Sequence, residues 1–225
     1  MKTTSCFGSM LAVIVGAMLL VSTAQAIPTL PSPAVTFTDT FSSTPVSVPE
    51  TVGWTFTVLN PITVGALGVF DSSSAFGQPA GNNGLIDSHN VGIWNSGGTL
   101  LTSGTVAAGT IDPLINQFRY ISIAPLLLAP GTYTIGATWG TTASDDYIAN
   151  TTGFQTIAAI QFLSAEYVQA ASLTMPTTNA SFFSNGMFGP NFVVVPEPST
   201  MLLLGAGFLG LAVYSKRRLN CAISK

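Results

Sequence analysis

Cysteine and histidine are almost absent from this chain of 225 residues. Its two cysteines, Cys6 and Cys221, lie near the two termini, so the long segment between them contains no thiol. That segment can form no disulfide and offers no cysteine to a metal ion, and its fold must depend on packing and hydrogen bonds. The single histidine, His89, excludes a zinc site built from several histidines, and the sequence contains no H-E-x-x-H motif.

Positive charge is also scarce, with 6 Lys and Arg residues against 9 Asp and Glu residues. Between residues 27 and 195 the one basic residue is Arg119, which stands against eight acidic residues and leaves a net charge of −7. This balance disfavours nucleic acid or another anionic polymer as a partner, because no basic cluster can neutralise phosphates. Cations and neutral glycans are compatible with it. The acidic residues are Asp39, Glu50, Asp71, Asp87, Asp112, Asp145, Asp146 and Glu166.

The N-terminal residues have the features of an export signal. Lys2 is followed by an uncharged apolar stretch over residues 10–21 and by the small-residue sequence Ala24-Gln25-Ala26. This order predicts a signal peptide over residues 1–26 that is cleaved after Ala26. Cys6 precedes the apolar stretch, so it is not placed to carry the lipid of a lipoprotein. We therefore expect residues 27–195 to form an exported domain without a thiol.

The C-terminal end combines a short proline motif, an uncharged apolar stretch and a basic cluster. They are the triplet Pro196-Glu197-Pro198, residues 201–214, and Lys216-Arg217-Arg218. As a helix, the apolar stretch would rise about 21 Å, which is short of the roughly 30 Å of bilayer hydrocarbon. Basic residues on the C-terminal flank alone predict a cytoplasmic tail with the exported domain on the other side. The prolines favour an extended, accessible triplet. An ordinary membrane anchor is the alternative interpretation.

This order of triplet, apolar stretch and basic cluster resembles the tripartite C-terminal signal of PEP-CTERM proteins. In that family an exosortase, a membrane-embedded enzyme similar to cysteine transpeptidases, acts at the triplet. The resemblance implies that residues 196–225 are a sorting signal with an apolar helix over about residues 199–214. It implies exosortase and the secretion machinery as partners, a transient membrane association, and export through the inner membrane to the cell envelope or the extracellular space.

The exported segment has the pattern of a β-rich domain. Residues 35–41 and 53–59 alternate apolar and polar side chains with the period of two of a half-buried strand. Asn95-Ser96-Gly97-Gly98 and Pro130-Gly131 predict turns between strands. Further strands are predicted over residues 62–70, 90–94, 99–106, 118–123, 132–139 and 181–195, with a strand or short helix over residues 156–162. The pattern predicts an all-β fold, an antiparallel β-sandwich of jelly-roll type, flanked by the signal peptide and a C-terminal transmembrane helix.

Part of this segment resembles a known bacterial domain. The sequence Gly53-Trp54-Thr55-Phe56-Thr57-Val58 and the later sequence Leu128-Ala129-Pro130-Gly131-Thr132-Tyr133 carry the resemblance. It covers about residues 52–149 and points to a sandwich domain of unknown function that is common in PEP-CTERM proteins. That group has no established catalytic residues that could be transferred to this chain.

Enzymatic interpretations find little support in the residues. A Ser-His-Asp triad would have to use His89, whose polar neighbours predict a surface residue or a turn partner, and no G-x-S-x-G motif is present. Carboxylates for glycoside hydrolysis could come from Asp145, Asp146 and Glu166, or from Asp71 and Asp87. Asp145 and Asp146 are adjacent, so in a strand they would point to opposite faces and could not form a pair. We therefore expect no catalytic residues.

Binding functions are the more open alternative. A calcium ion could be held by oxygen ligands from four loop carboxylates, with help from Asn82 or Asn83, although no EF-hand spacing is present and the same residues suit turns. The four are Asp71, Asp87, Asp145 and Asp146. The three tryptophans, Trp54, Trp94 and Trp139, could stack on a carbohydrate, but their places in alternating strands favour core packing.

The sequence thus predicts a non-enzymatic structural or adhesion module that is connected with extracellular polymer or biofilm. The alternatives are a calcium-binding or neutral-glycan-binding domain and, less favoured, a secreted hydrolase.

Overall fold

The computed structural model describes residues 32–37, 42–45, 48–71, 84–140, 145–149, 151, 153–183, 185–195, 205–211 and 214. Nearly all regular structure in them is β-strand, and every pairing between their strands is antiparallel. The all-β antiparallel class is therefore confirmed, while the jelly-roll type stays a prediction.

Sixteen strands are found in the described part of the chain. The first half consists of β1 (Ser32–Pro33), β2 (Val35–Phe37), β3 (Ser42–Pro45), β4 (Glu50–Val58), β5 (Ile62–Phe70), β6 (His89–Asn95), β7 (Leu100–Val106) and β8 (Leu114–Ile115). The second half consists of β9 (Phe118–Leu128), β10 (Gly131–Trp139), β11 (Asp146–Ala149), β12 (Phe154–Thr156), β13 (Ile160–Gln169), β14 (Thr178–Asn179), β15 (Met187–Phe188) and β16 (Pro190–Val195).

Two large sheets pack face to face. One has the order β1-β16-β5-β9-β8, and the other has the order β14-β13-β4-β10-β6-β7. Trp54 of β4 joins them, because its ring stacks on Phe192 of β16 with centroids 5.8 Å apart. Its indole Nε1 also donates a hydrogen bond of 2.9 Å to the carbonyl oxygen of Pro190. Two small sheets, β15-β11-β3 and β12-β2, complete the domain.

The core follows the alternation that the sequence shows. In β4, Trp54, Phe56 and Val58 are buried, whereas Thr55 and Thr57 between them are half-buried. Apolar side chains of both large sheets form one continuous buried cluster. Burial of such side chains is worth about 1.5–3 kcal/mol each, so this cluster is the main source of stability in a domain without cross-links.

All three tryptophans are buried, which confirms the prediction that they pack rather than form an exposed platform. Trp54 and Trp139 belong to the main core. Trp94 lies on the outer face of the six-stranded sheet, on the same side of β6 as Gly92 and next to Leu173. The segment over residues 170–177 covers this face, and the amide of Thr174 donates to Thr51 Oγ1 at 3.4 Å.

Three predicted elements differ from the observed ones. The strand predicted over residues 181–195 begins with a turn at residues 181–182 and is divided into β15 and β16. Strand β9 continues to Leu128, beyond the predicted end at residue 123, because the register shifts between Val64 and Ala66 of β5. Pro125 lies within this irregularity, where the ladder requires no amide from it. The single element predicted over residues 156–162 is divided between β12 and β13 by a turn at residues 158–159.

The sandwich has two distinct ends. At one end, Ser32 pairs with Val194, and Val195 pairs with Thr63, so the chain enters and leaves the domain there. We call this the exit end, and it includes the loops over residues 59–61, 96–99, 129–130 and 157–159. At the other end, which we call the polar end, lie Asp71 after β5, His89 at the start of β6 and Arg119 near the start of β9.

Beyond the sandwich, residues 205–211 and 214 are helical. Among the described residues, no helix has the length and apolar character needed to cross a membrane. The predicted signal peptide, the triplet and the basic cluster lie outside the described residues.

A substitution of Gly53, in the middle of β4, tests how closely the neighbouring strands pack. A Cβ atom there would lie 1.9 Å from the carbonyl oxygen of Ile135 on the neighbouring strand, whereas a Cβ at Gly140 would meet nothing within 4 Å. We expect Gly53→Ala to lower the free energy of unfolding by about 1–3 kcal/mol or more, because the backbone must move. Gly140→Ala should change it by less than about 0.5 kcal/mol. Urea unfolding of both variants measures this, and equal stabilities would contradict the packing described.

Candidate functional site

The polar end contains a buried ion pair. Asp71 follows the last residue of β5, and Arg119 lies on β9 opposite Val69. The guanidinium Nε donates to Asp71 Oδ2 at 2.7 Å, and Nη1 donates to the carbonyl oxygen of Asp112 at 2.8 Å. Asp71 is 0% exposed and Arg119 is 2% exposed. The one basic side chain of the exported segment is therefore enclosed within the fold rather than presented to a partner.

Burial has a cost for the ionised form of Asp71. Removal from water raises the pKa of Asp71 above its ordinary value of 3.8, and the charge and hydrogen bond of Arg119 oppose this rise. The nearby Asp145 raises the pKa further, and the backbone amide of Gly84 lowers it. Because the folded-state pKa is raised, the contribution of Asp71 to stability is greatest in acid and is lost as the pH rises through that pKa.

His89 is buried. The sequence predicted a surface residue or a turn partner, and the prediction of a surface position is wrong. His89 is the first residue of β6, and it lies beside the end of β10. Its ring packs against Trp139, with ring centroids 4.9 Å apart, so the side chain is only 2% exposed. The ring Nδ1 contacts the carbonyl oxygen of Thr138, and Nε2 lies 3.1 Å from Asp145 Oδ2. Both ring nitrogens are therefore engaged, one by the backbone of β10 and the other by the carboxylate of Asp145.

Asp145 connects this histidine to the loop before β6. Its carboxylate accepts hydrogen bonds of 3.0 Å from the amide of Ile86 and 2.8 Å from the amide of Asp87. Its carbonyl oxygen accepts the indole N–H of Trp139 at 3.1 Å. The residue therefore fixes the loop at residues 84–88 against the ends of β6 and β10.

These contacts limit the chemistry of the polar end. The hydrogen-bond partners of His89 in the described part of the chain are Thr138 and Asp145, so a serine nucleophile is not among them. Both ring nitrogens of this 2% exposed side chain already contact protein oxygens, so neither faces solvent. Glu166, a candidate for a hydrolase pair, lies on β13 and accepts a 2.6 Å hydrogen bond from Ser164. Among the residues that the structure describes, this arrangement holds loops in place.

The four calcium candidates lie near one end but have other partners. Asp71 and Asp145 are close enough for their charges to interact. However, Asp71 binds Arg119, and Asp145 binds His89. Asp87 contributes its amide to Asp145, and Asp146 begins β11, paired with Pro45. Within the described ranges, no group of three or more His, Cys, Asp or Glu residues is placed to hold a metal ion. Calcium binding stays a prediction, and Asn82 and Asn83 lie outside the described residues.

An exposed aromatic surface was not anticipated from the sequence. Phe182 is 64% exposed, with its ring 4.6 Å from that of Phe183 and 6.1 Å from that of Tyr167. Ser164 and Asn179 line a shallow depression beside it. The adjacent aromatic pair in the sequence Asn179-Ala180-Ser181-Phe182-Phe183 is the signal that could have indicated it.

The candidate sorting residues lie outside the described residues. They are Ala24 and Ala26 at the leader and Pro196, Glu197, Pro198, Lys216, Arg217 and Arg218 at the tail. Their nearest described neighbour is Val195, the last residue of β16. Because β16 lies between β1 and β5, the triplet follows directly from an interior strand of a sheet.

The Asp71–Arg119 pair can be tested by removing one or both charges. We expect Arg119→Met to destabilise the protein by about 3–5 kcal/mol, because Asp71 is left buried without a counter-charge. The double variant Asp71→Asn with Arg119→Met should recover most of this loss in urea unfolding measurements. A double variant no more stable than Arg119→Met alone would show that packing of the arginine, rather than charge balance, dominates.

Comparison with known proteins identifies the C-terminal segment. No curated protein matches the sequence of the chain. A family model described as the PEP-CTERM protein-sorting motif matches residues 194–218, which span the triplet, the apolar stretch and the basic cluster. The prediction made from those three features is confirmed. The chain therefore carries a PEP-CTERM protein-sorting motif, which implies an exported protein sorted by exosortase to the cell envelope or surface.

Proposed function

We propose that this chain is a non-enzymatic structural or adhesion protein of the cell envelope, delivered through exosortase and associated with extracellular polymer or biofilm. The observation that supports this most strongly is the state of its ionisable side chains. His89, Asp71, Asp145 and Arg119 are all buried and engaged with one another or with the backbone, as a stabilising network requires and an active site does not.

The composition of the exported segment supports the same proposal. It has no thiol, a net charge of −7 and a buried core built from both large sheets. A domain of this kind needs no cofactor to fold and repels anionic polymers, so neutral polymers or other proteins are its natural partners. Its surface is rich in Ser, Thr and Asn, which hydrogen-bond to neutral sugars and peptides alike.

In this proposal the tail is a temporary membrane anchor. Its apolar stretch, at about 21 Å as a helix, is short for a permanent span and inserts with the basic cluster on the cytoplasmic side. Processing at the triplet then frees the domain from residues that have no further role in its fold. The removed part begins directly after β16, so the sandwich retains all of its described strands.

Replacement of the acidic residue in the triplet tests the sorting. In a host that contains an exosortase, we expect Glu197→Ala to accumulate as the longer, membrane-associated form, while Ser199→Ala is processed as the unchanged chain is. Intact mass and cell fractionation measure the difference, because loss of the tail lowers the mass by about that of its thirty residues. Normal processing of Glu197→Ala would contradict a role for the triplet in recognition.

The exposed aromatic surface favours a second candidate function, binding of a neutral glycan. Phe182 and Tyr167 offer apolar ring surface, and Ser164 and Asn179 beside them offer hydrogen-bonding groups. Sugar rings bind through this combination of stacking and hydrogen bonds. The structural role remains the first proposal, because the depression is shallow and no buried polar group points into it among the described residues.

A glycan array with the processed protein distinguishes the two functions. If the surface binds sugar, Phe182→Ala should lower binding at least about tenfold, the cost of losing roughly 1.4 kcal/mol. Ile111→Ala should leave it unchanged, because Ile111 is even more exposed to solvent, at 81% against 64% for Phe182, but lies elsewhere on the domain. Absence of binding both with and without calcium would remove the glycan alternative, and a melting temperature unchanged by added calcium would remove the calcium alternative.

A further inference from the structure

Charge is distributed unevenly along the sandwich. The loops of the exit end contain no charged residue, whereas the charged side chains of the described part all lie in the half towards the polar end. These are Glu50, Asp71, Asp87, Asp112, Arg119, Asp145, Asp146 and Glu166. Asp39 lies outside the described residues.

The strand register gives the scale of this separation. Strand β4 runs from Glu50 at the polar end to Val58 at the exit end, a length of about 27 Å for nine residues at 3.3–3.4 Å each. Glu166 is the charged residue of the six-stranded sheet that lies closest to the exit end, and it pairs with Gly53. It is therefore still about 16 Å from the level of Val58. The last 16 Å or so of the six-stranded sheet towards the exit end therefore contain no charged side chain.

Exposed apolar side chains lie on this uncharged surface. Leu59 is 50% exposed and Leu127 is 63% exposed. Pro61, Ala129 and Pro130 beside them are exposed as well. Asn60, Ala158 and the small residues of the 96–99 turn are the other exposed groups of these loops. Apolar side chains among small polar groups, without carboxylates, suit contact with the interfacial region of a bilayer.

Both membrane-directed segments of the chain leave from this same end. Ser32 and Val194 are paired, so the leader side of β1 and the tail side of β16 lie next to each other. Five residues separate Val195 from the apolar stretch that begins at Met201. Fully extended, they span at most about 18 Å. Because the headgroup region is only about 5–8 Å thick on each side of the hydrocarbon, the tether keeps the exit end close to the lipid surface.

We propose that the exit end is a membrane-contacting face, which lies on the headgroup region of the lipid bilayer while the tail is inserted. The proposal rests on the membrane insertion of the tail proposed above. The carboxylates are held about 16–27 Å away from the surface, which avoids both repulsion by anionic lipids and the cost of moving charge into a region of low dielectric. The polar end then points away from the membrane.

Fluorescence quenching in lipid vesicles tests this orientation. The full chain with Cys6→Ser and Cys221→Ser is reconstituted without exosortase, and a fluorophore is attached to a single new cysteine. Asn60→Cys and Ser96→Cys place it at the exit end, and Ile111→Cys places it at an exposed site near Asp112 of the polar end. With nitroxide-labelled headgroups in the vesicles, we expect quenching at residues 60 and 96 to exceed that at residue 111 at least threefold.

A charge variant provides the matched control. Leu59→Glu combined with Leu127→Glu should reduce quenching at residue 96 towards the value at residue 111, because two carboxylates then face the lipid. Vesicle flotation is measured in parallel for this chain and for one that ends at Val195. Because both carry the leader, the difference between them tests the insertion of the tail.

The outcomes separate the two proposals. Flotation with equal quenching at both ends overturns the membrane-contacting face and leaves tail insertion intact. Failure to float overturns tail insertion and, with it, this inference. Quenching at residues 60 and 96 that exceeds that at residue 111 only when exosortase is added overturns a direct contact between the exit end and lipid.

Discussion

Aromatic packing between two antiparallel sheets is the interaction on which the rest of this domain depends. With no thiol between the two terminal segments, nothing covalent joins the sheets. Trp54 occupies the centre of the contact, where it stacks on Phe192 and lies 5.0 Å from Phe56 between ring centroids. Its hydrogen bond to Pro190 also fixes the position of β16. The last strand of the sandwich is therefore held in place by a side chain of the fourth.

At the polar end, buried polar contacts hold the loops that connect the strands of the two sheets. Asp71 and Asp145 lie at loop ends, and each is bound to a cationic or proton-donating partner from another strand. Because unpaired buried charges are costly, these contacts strongly favour one arrangement of the loops. The same residues that resemble metal ligands or catalytic groups in the sequence are thereby used to define the geometry of the fold.

The periodic parts of the fold were predictable from the sequence, and the non-local parts were not. Strand β5 has the predicted bounds, and Trp54 and Trp139 are in the core as their alternation indicates. The burial of His89 was missed because it depends on Trp139 and Asp145, which are distant in sequence and carry no local signal. The covering of Trp94 by residues 170–177 is a tertiary contact of the same kind. The sorting motif was predictable because its three features are adjacent and independent of the fold.

The position of β16 has a consequence for the order of events during export. This strand is the last of the domain, yet it lies inside its sheet, between β1 and β5. A chain that crosses the membrane from its N-terminus cannot complete that sheet until residue 195 has emerged, because the pairing of β1 depends on it. The sorting motif follows directly behind this strand in the sequence. The topology therefore makes completion of the sheet and exposure of the tail consecutive steps in the passage of the chain.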